Sequence, residues 1–256
     1  MKLKILGCSG GKSIGQNPTS FLLDDKLLID AGTVISKVDP RQLVNEIDNL
    51  VLTHSHIDHI ADLPFLAQLA YEEKQKPFTV HASDECTEVV FESIFNFNIW
   101  PDLFELSKEN GSNLRWKNYK HLELFEVGGY EVTPVFVNHT VPTYGFIIDD
   151  GESSFAFSAD TYLTDKFWEE CGTKDNLDAI IIDVSFPSHM SSVAEATRHL
   201  TPDLLLQELE KLGSKNPNIF ITHIKPQLLE EVKTELRKKF GGRKLFILSE
   251  NIDIYV

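Results

Sequence analysis

The segment Thr53-His54-Ser55-His56-Ile57-Asp58-His59 places three imidazoles and a carboxylate within a few residues, directly after the apolar run Leu50-Val51-Leu52. Neutral imidazole and carboxylate are the usual ligands of zinc and related divalent ions. His54 and His56 stand two apart and can point the same way from an extended chain. Asp58 and His59 follow where the chain can turn into a helix, so the segment offers two ligand pairs to two neighbouring ions. A solvated turn that happens to be rich in histidine is the competing reading, and a lone His-x-His would not separate the two.

A dinuclear centre needs further ligands, each at the end of a strand on the same edge. Three positions qualify: His139 ends the strand Val132 to Asn138, Asp160 follows Phe155-Ala156-Phe157-Ser158-Ala159, and His223 follows Ile219-Phe220-Ile221-Thr222. Asp160 is suited to bridge, because a carboxylate can give one oxygen to each of two cations whereas a neutral imidazole has one free lone pair. His199 stands just before Thr201-Pro202-Asp203, a helix-start signal with Thr201 as cap and Pro202 in the first turn. Fixing the helix start fixes where His199 points. His189 is expected on a loop, and His81 and His121, outside any motif, read as structural.

The elements that must position these groups are legible in outline. Lys2 to Leu6 reads as a strand, followed by the loop Gly7-Cys8-Ser9-Gly10-Gly11-Lys12-Ser13, which lacks the phosphate-loop spacing and reads instead as a tight turn beside the metal site. Phe21 to Leu23 and Lys26 to Ile29 form a hairpin around Asp24-Asp25 that ends in Asp30-Ala31-Gly32. Apolar residues at helical spacing predict a helix from Asp58 to Glu73, and a second is expected over residues 83 to 97. The aromatic run Phe91, Phe95, Phe97, Trp100 and Phe104 reads mainly as core, with a lid or insertion around 91–119. Strands follow at His121 to Val127, Tyr130 to Asn138, Tyr144 to Asp149 and Ser153 to Ser158. Helices are expected near Asp165 to Cys171, Pro202 to Leu212 and Gln227 to Lys239. Two batches of strands with helices suggest two packed sheets with helices outside.

At 256 residues and 42% hydrophobic, with no divided composition, the chain reads as one domain, 1–256. Cys8, Cys86 and Cys171 are odd in number and far apart, which suggests neither a disulfide framework nor a thiolate metal site. The N-terminus lacks a signal-peptide apolar stretch and no run is long enough to span a membrane, so a soluble, cytoplasmic protein is expected. A formal charge of −15 argues against broad contact with a polyanion, so no extended nucleic-acid partner is expected. It leaves room for a small phosphate substrate drawn to bound cations.

The His-x-His-x-Asp-His pattern resembles the metallo-β-lactamase superfamily of hydrolases. That resemblance implies an αββα sandwich of two mixed β-sheets with outer helices, compatible with a homodimer. It also implies a ligand set in which His54, His56 and His139 bind one ion, Asp58, His59 and His223 bind the other, and Asp160 joins them. Zinc is the expected metal, with manganese or iron as alternatives for such N/O donors.

Longer segments, His139-Thr140-Val141-Pro142-Thr143-Tyr144-Gly145-Phe146, Ser185-Phe186-Pro187, His199-Leu200-Thr201-Pro202 and Thr222-His223-Ile224-Lys225-Pro226, resemble the class II cyclic-nucleotide phosphodiesterases. This implies hydrolysis of 3′,5′-cyclic AMP or GMP to the 5′-monophosphate by a hydroxide shared between two metal ions, oriented by Asp58 and assisted by His199. Leu6-Gly7-Cys8-Ser9-Gly10-Gly11 and Asp183-Val184-Ser185-Phe186 also resemble the tRNA 3′-processing ribonucleases, in which a His and an acidic residue assist at the phosphate. By that likeness His199 and Asp183 would take those roles. Another small cyclic phosphate is a further substrate class open to the sequence. A metal-binding scaffold or sensor is the non-enzymatic alternative, against which stand seven intact ligand positions. The segment Ala194-Glu195-Ala196-Thr197-Arg198 is more charged than the phosphodiesterase pattern leads one to expect.

Overall fold

The inner strands of the first half are buried on consecutive residues because both of their faces are covered. In the computed structural model, which describes residues 1–73 and 75–256, β1 (Lys2–Gly7), β2 (Ser20–Leu23), β3 (Leu27–Ile29), β4 (Asn49–Val51), β5 (Phe78–Ala82) and β6 (Leu114–Asn118) lie side by side in chain order. Phe21, Leu23, Leu27, Ile29 and Val51 point into one core, while Leu22, Leu28 and Leu50 point into another. Such two-sided burial is what removes the polar alternation of a half-exposed strand.

A second sheet runs β7 (Phe125–Val127), β8 (Tyr130–Val137), β9 (Thr143–Asp149), β10 (Ser154–Phe157), β11 (Leu177–Asp183), β12 (Asn218–Thr222) and β13 (Leu245–Ile247), again in chain order. The chain then returns to the first sheet, where β14 (Asp253–Tyr255) pairs outside β1. Both sheets are mixed: β1 to β3 and β7 to β10 pair antiparallel, whereas β3 to β6 and β10 to β13 pair parallel.

Three cores make four layers. The middle one joins the sheets through residues such as Phe21, Ile29, Phe146, Phe155 and Ile181. On one outer side, α1 (Pro40–Asn45), α3 (Leu63–Glu73), α4 (Asp84–Ser93) and α5 (Leu103–Asn110) bury Leu43, Leu66, Val90 and Phe104 against the first sheet. On the other, α6 (Lys166–Thr173), α8 (Pro202–Leu209) and α9 (Leu229–Phe240) bury Trp168, Leu205 and Leu236 against the second. Two short helices, α2 (Ile57–Ile60) and α7 (Ser191–Thr197), sit at the edge where the parallel strands end. The αββα sandwich expected from the sequence is therefore the architecture observed. Among the described residues no helix is long and apolar enough to cross a membrane.

Several boundaries differ from expectation for local reasons. The helix expected over 58–73 is two helices, broken at Ala61-Asp62, because the Asp62 carboxylate accepts the backbone N–H groups of Val34 and Ile35 at 2.6 and 2.9 Å. The helix expected to reach residue 97 stops at Ser93, where Phe97 turns left-handed (φ 61°) and Asn96 Oδ1 accepts from the Asn98 and Ile99 N–H groups. The strand expected from His121 shrinks to β7, since His121 Nδ1 accepts the Phe136 N–H instead and Leu122 adopts φ 58°.

Residues 91–119, expected as a lid or insertion, are largely built into the first layer. Phe91, Phe95, Phe104 and Trp116 pack against one another, mostly edge to face, and Leu114–Asn118 is the edge strand beside β5. The short stretch with Phe97 and Ile99 exposes large apolar side chains to solvent.

Candidate metal centre

Strand direction brings the candidate residues to one edge. The parallel strands β4, β10, β11 and β12 end there, and His54, Asp160, Asp183 and His223 lie at or just past those ends. His139 follows β8, which runs parallel to β10 two strands away. The donor atoms of His54, His56, His139 and Asp160 lie within 4.8 Å of one another, as do those of Asp58, His59 and His223. These are the two groups that the family resemblance implied. Asp160 lies between them, with Oδ2 at 3.7 Å from His54 Nε2, 3.8 Å from His139 Nε2 and 3.1 Å from His223 Nε2, and Oδ1 at 3.3 Å from His59 Nε2.

The hydrogen bonds behind the histidines fix which ring nitrogen faces inward. The Thr53 hydroxyl has one proton and donates it to Asp30, so at 2.9 Å it must accept from His54 Nδ1–H, leaving the His54 Nε2 lone pair free. His59 Nδ1–H donates to Asp30 Oδ2 at 2.7 Å, and His139 Nδ1–H to the Arg198 carbonyl at 3.1 Å. His223 Nδ1 meets Thr19 Oγ1 at 3.3 Å. Orienting partners of this kind raise ligand basicity and lock the ring. His56 Nδ1 then lies 3.1 Å from His139 Nε2.

These residues fit divalent metal binding. The Nε2 atoms of His54, His59 and His223 are buried without a hydrogen-bond partner, a state that costs about 1–3 kcal/mol per group unless something else occupies the lone pair. Burial, with His59 next, holds His54 well below the usual imidazole pKa, and burial does the same for His223. Both therefore present lone pairs rather than protons. Burial also works against ionised Asp160, but His223 and His59 outweigh it and hold that carboxyl well below the usual range.

Four non-glycine residues at this edge adopt left-handed backbone: Asp30 (φ 57°), Ala159 (φ 53°), Arg198 (φ 57°) and His223 (φ 64°). That conformation costs roughly 1–2 kcal/mol per residue, and its concentration here shows that ligand placement outranks local comfort. Gly10 makes room on one flank, since a Cβ there would stand 2.4 Å from the His223 carbonyl oxygen. Gly10→Ala is therefore expected to displace His223 and weaken metal retention by about tenfold or more, read as metal content after dialysis.

His199 is nearly buried, and its Nδ1–H donates to Asp183 Oδ2 at 2.7 Å. Its Nε2 therefore faces the cavity beside His139 and His223, whose ring centroids lie 5.0 and 5.2 Å away. Burial pushes the His199 pKa down, but Asp183 outweighs it and the net shift is upward. Asp183 itself was expected at the phosphate. It is instead fully buried behind His199, where its carboxylate also accepts from Thr161 N–H and lies 2.8 Å from Ser185 Oγ. It positions His199 and does not reach the cavity. The charged segment before His199 forms α7, closed by left-handed Arg198, whose N–H returns to Ala194 and Glu195 and whose carbonyl is free to hold His139.

The remaining histidines are structural or peripheral. His81 bonds Asn49 at 3.1 Å and stacks on Phe125, with burial pushing its pKa down to about 4. His121 holds the Phe136 N–H, and His189 is exposed beside Glu231. The three cysteines are free and buried, which pushes each thiol up to about 12.

Two residues at the site escaped the sequence reading. Asp30 was visible only as the end of a hairpin, although Asp-Ala-Gly at a strand end next to a ligand strand was a usable signal. Lys225 lines the cavity with His56, Asp58, His139, Asp160 and His199, a space of about 280 Å³. Asp30→Asn is expected to preserve the fold while lowering metal affinity by roughly 10–100-fold, measured by competition with a chelating dye.

Comparison with known proteins places this geometry among relatives. Residues 25–224 match the family described as Beta-lactamase superfamily domain. The chain is 25% identical over 261 aligned positions to 3′,5′-cyclic-nucleotide phosphodiesterase 1 of Saccharomyces cerevisiae, covering 82% of this chain and 69% of the yeast protein. It is 28% identical over 152 positions to ribonuclease Z of Clostridium kluyveri, covering 57% of this chain and 48% of that one. Among solved structures, the metallo-beta-lactamase fold protein YhfI of Bacillus subtilis superposes with a TM-score of 0.78 at 19% identity, covering 99% of both chains. Unliganded yeast phosphodiesterase 1 superposes at 0.76 and 20% identity over 100% of this chain and 99% of its own.

Proposed function

Because this chain belongs to the beta-lactamase superfamily of metallo-hydrolases, we propose that it is a metal-dependent phosphodiesterase that hydrolyses 3′,5′-cyclic nucleotides to nucleoside 5′-monophosphates. The observation that carries this reading is His199: a nearly buried imidazole, tied by Nδ1 to Asp183, presents Nε2 to the cavity that also holds the ligand cluster. Opening a cyclic phosphodiester needs a proton for the departing oxygen, and a histidine held through Nδ1 by Asp183 beside the cluster can carry that proton at Nε2. The likeness to the yeast enzyme over most of the chain supports the same substrate class.

His54, His56 and His139 would hold one ion and Asp58, His59 and His223 the other, with Asp160 shared. Bound there, two divalent ions, zinc by the nitrogen-rich donor set, supply an acidified water and charge neutralisation at phosphoryl oxygens. Asp58 lines the cavity and lies 3.7 Å from His223, where its carboxylate can orient a water. Asp183 keeps His199 in one tautomer. A cavity of about 280 Å³ suits a mononucleotide-sized ester entering from solvent, and a net charge of −15 disfavours a tRNA-sized polyanion. We place the reaction in the cytoplasm.

Metal-loaded protein incubated separately with cyclic AMP, cyclic GMP, bis(p-nitrophenyl) phosphate and a 3′-extended tRNA precursor tests this reading. Conversion of a cyclic nucleotide to its 5′-monophosphate is expected. Cleavage of the precursor with no action on cyclic nucleotides would replace it by the ribonuclease Z reading, which the His199–Asp183 pair and the Clostridium relative also favour.

A further inference from the structure

Several lysines of this protein pair with a carboxylate away from the metal centre, as in Lys37 with Glu250, Lys174 with Asp149 and Lys211 with Glu208. Lys225 is different. It lines the metal-centre cavity, and among the described residues no carboxylate pairs with its Nζ. The ammonium instead lies 6.0 Å from the centre of the Phe186 ring, which on its other contact packs 5.9 Å from the His199 ring.

The backbone beneath Lys225 is pinned on every side. Its N–H donates to the Ser185 carbonyl at 3.2 Å, His223 N–H donates to the Cys8 carbonyl at 2.8 Å, and Pro226 restricts Lys225 to its extended conformation (φ −62°, ψ 129°). A half-buried cation rooted in this way at the wall of the cavity is placed to meet an anionic group that enters it. The acidic side chains of the cavity, Asp58 and Asp160, face the histidines instead.

We propose that Lys225 is a substrate-binding residue that holds a non-bridging phosphate oxygen of the substrate, with the aliphatic stem and ammonium steadied by Phe186. This rests on the phosphodiester reading above. An ammonium is a compact charge with three rotatable donors, suited to follow a phosphate as its geometry changes. The contact exists for substrate and for phosphate product alike, so its loss raises KM more than it lowers kcat.

The test compares metal-loaded wild type, Lys225→Met and Lys225→Arg. Met keeps the stem against Phe186 and removes the charge, and metal content and Tm report that the centre and fold persist. Inorganic phosphate is titrated calorimetrically into each, and bis(p-nitrophenyl) phosphate turnover is followed where it occurs. Lys225→Met is expected to weaken phosphate binding by about 10–100-fold with metals retained, and Lys225→Arg to restore most of it. Equal phosphate affinity in wild type and Lys225→Met would overturn the role of Lys225 alone. Absence of phosphate binding by loaded wild type would overturn the phosphodiester reading and this role with it.

Discussion

Asp160→Ala is expected to release both metals and to leave no measurable hydrolysis. Asp160 stands within 3.1 to 3.8 Å of four inward histidine nitrogens, those of His54 and His139 in one ligand group and of His59 and His223 in the other. Its negative charge would also offset the crowding of imidazoles and bound cations into a buried space. Without it, a cation pair would face mutual repulsion with only Asp58 and the more distant Asp30 in compensation. Metal analysis after gel filtration reads the outcome directly. Asp160→Asn keeps the volume and separates loss of charge from loss of packing: it should lose metal nearly as completely while keeping far-UV circular dichroism. Full metal retention in the asparagine variant would show that the carboxylate does not bridge.

His199→Ala should behave in the opposite way, retaining the metals and lowering kcat by about 10²–10⁴-fold, the range associated with a positioned general acid. The distinction is informative because His199 Nε2 also comes within reach of Asp160 and His223, so a supernumerary ligand role is geometrically open. Substantial metal loss in His199→Ala would assign it to the ligand set instead. Asp183→Asn probes the same residue through its partner. An amide can still accept the Nδ1–H bond but no longer favours the imidazolium, so turnover should fall while substrate KM stays near wild type. A substrate with a better leaving group, such as bis(p-nitrophenyl) phosphate, should be less affected by either change, because its departing phenoxide needs no proton.

Most of this site is legible in the sequence. Ligand residues are constrained in type, and the chain places them at strand ends, where an apolar run followed by His or Asp is a visible pattern: Leu50-Val51-Leu52 before His54, Ile219-Phe220-Ile221 before His223. What supports the ligands was harder to see. Asp30 lies 29 positions from His59 in sequence, and only the parallel pairing of β3 with β4 brings it to the ring. Asp183 illustrates the complementary error. Its place in a motif suggested a part in the reaction, whereas parallel register with Thr222 puts it inside the sheet edge, behind the residue it serves.

The fold showed the same division. Two sheets with outer helices followed from the order of apolar runs, but β5 and β6 were not anticipated as partners, because Phe78–Ala82 and Leu114–Asn118 are short and the second is largely polar. The aromatic run between them was ambiguous for a physical reason: rings that bury well beneath a sheet are also the rings that stack on a ligand. Packing of Phe91, Phe95, Phe104 and Trp116 against one another decides for the core. Asp62 likewise shows how a single carboxylate, by capping a neighbouring loop, can break a helix that periodicity alone would continue.

The most direct measurement is a zinc titration of metal-stripped protein, followed by native mass spectrometry and thermal melting together. Uptake of two equivalents, with a rise in Tm as the orphaned nitrogens of His54, His59 and His223 find their partners, is the expected result. No uptake, or a single equivalent bound without any change in stability, would contradict a paired centre built from these seven side chains.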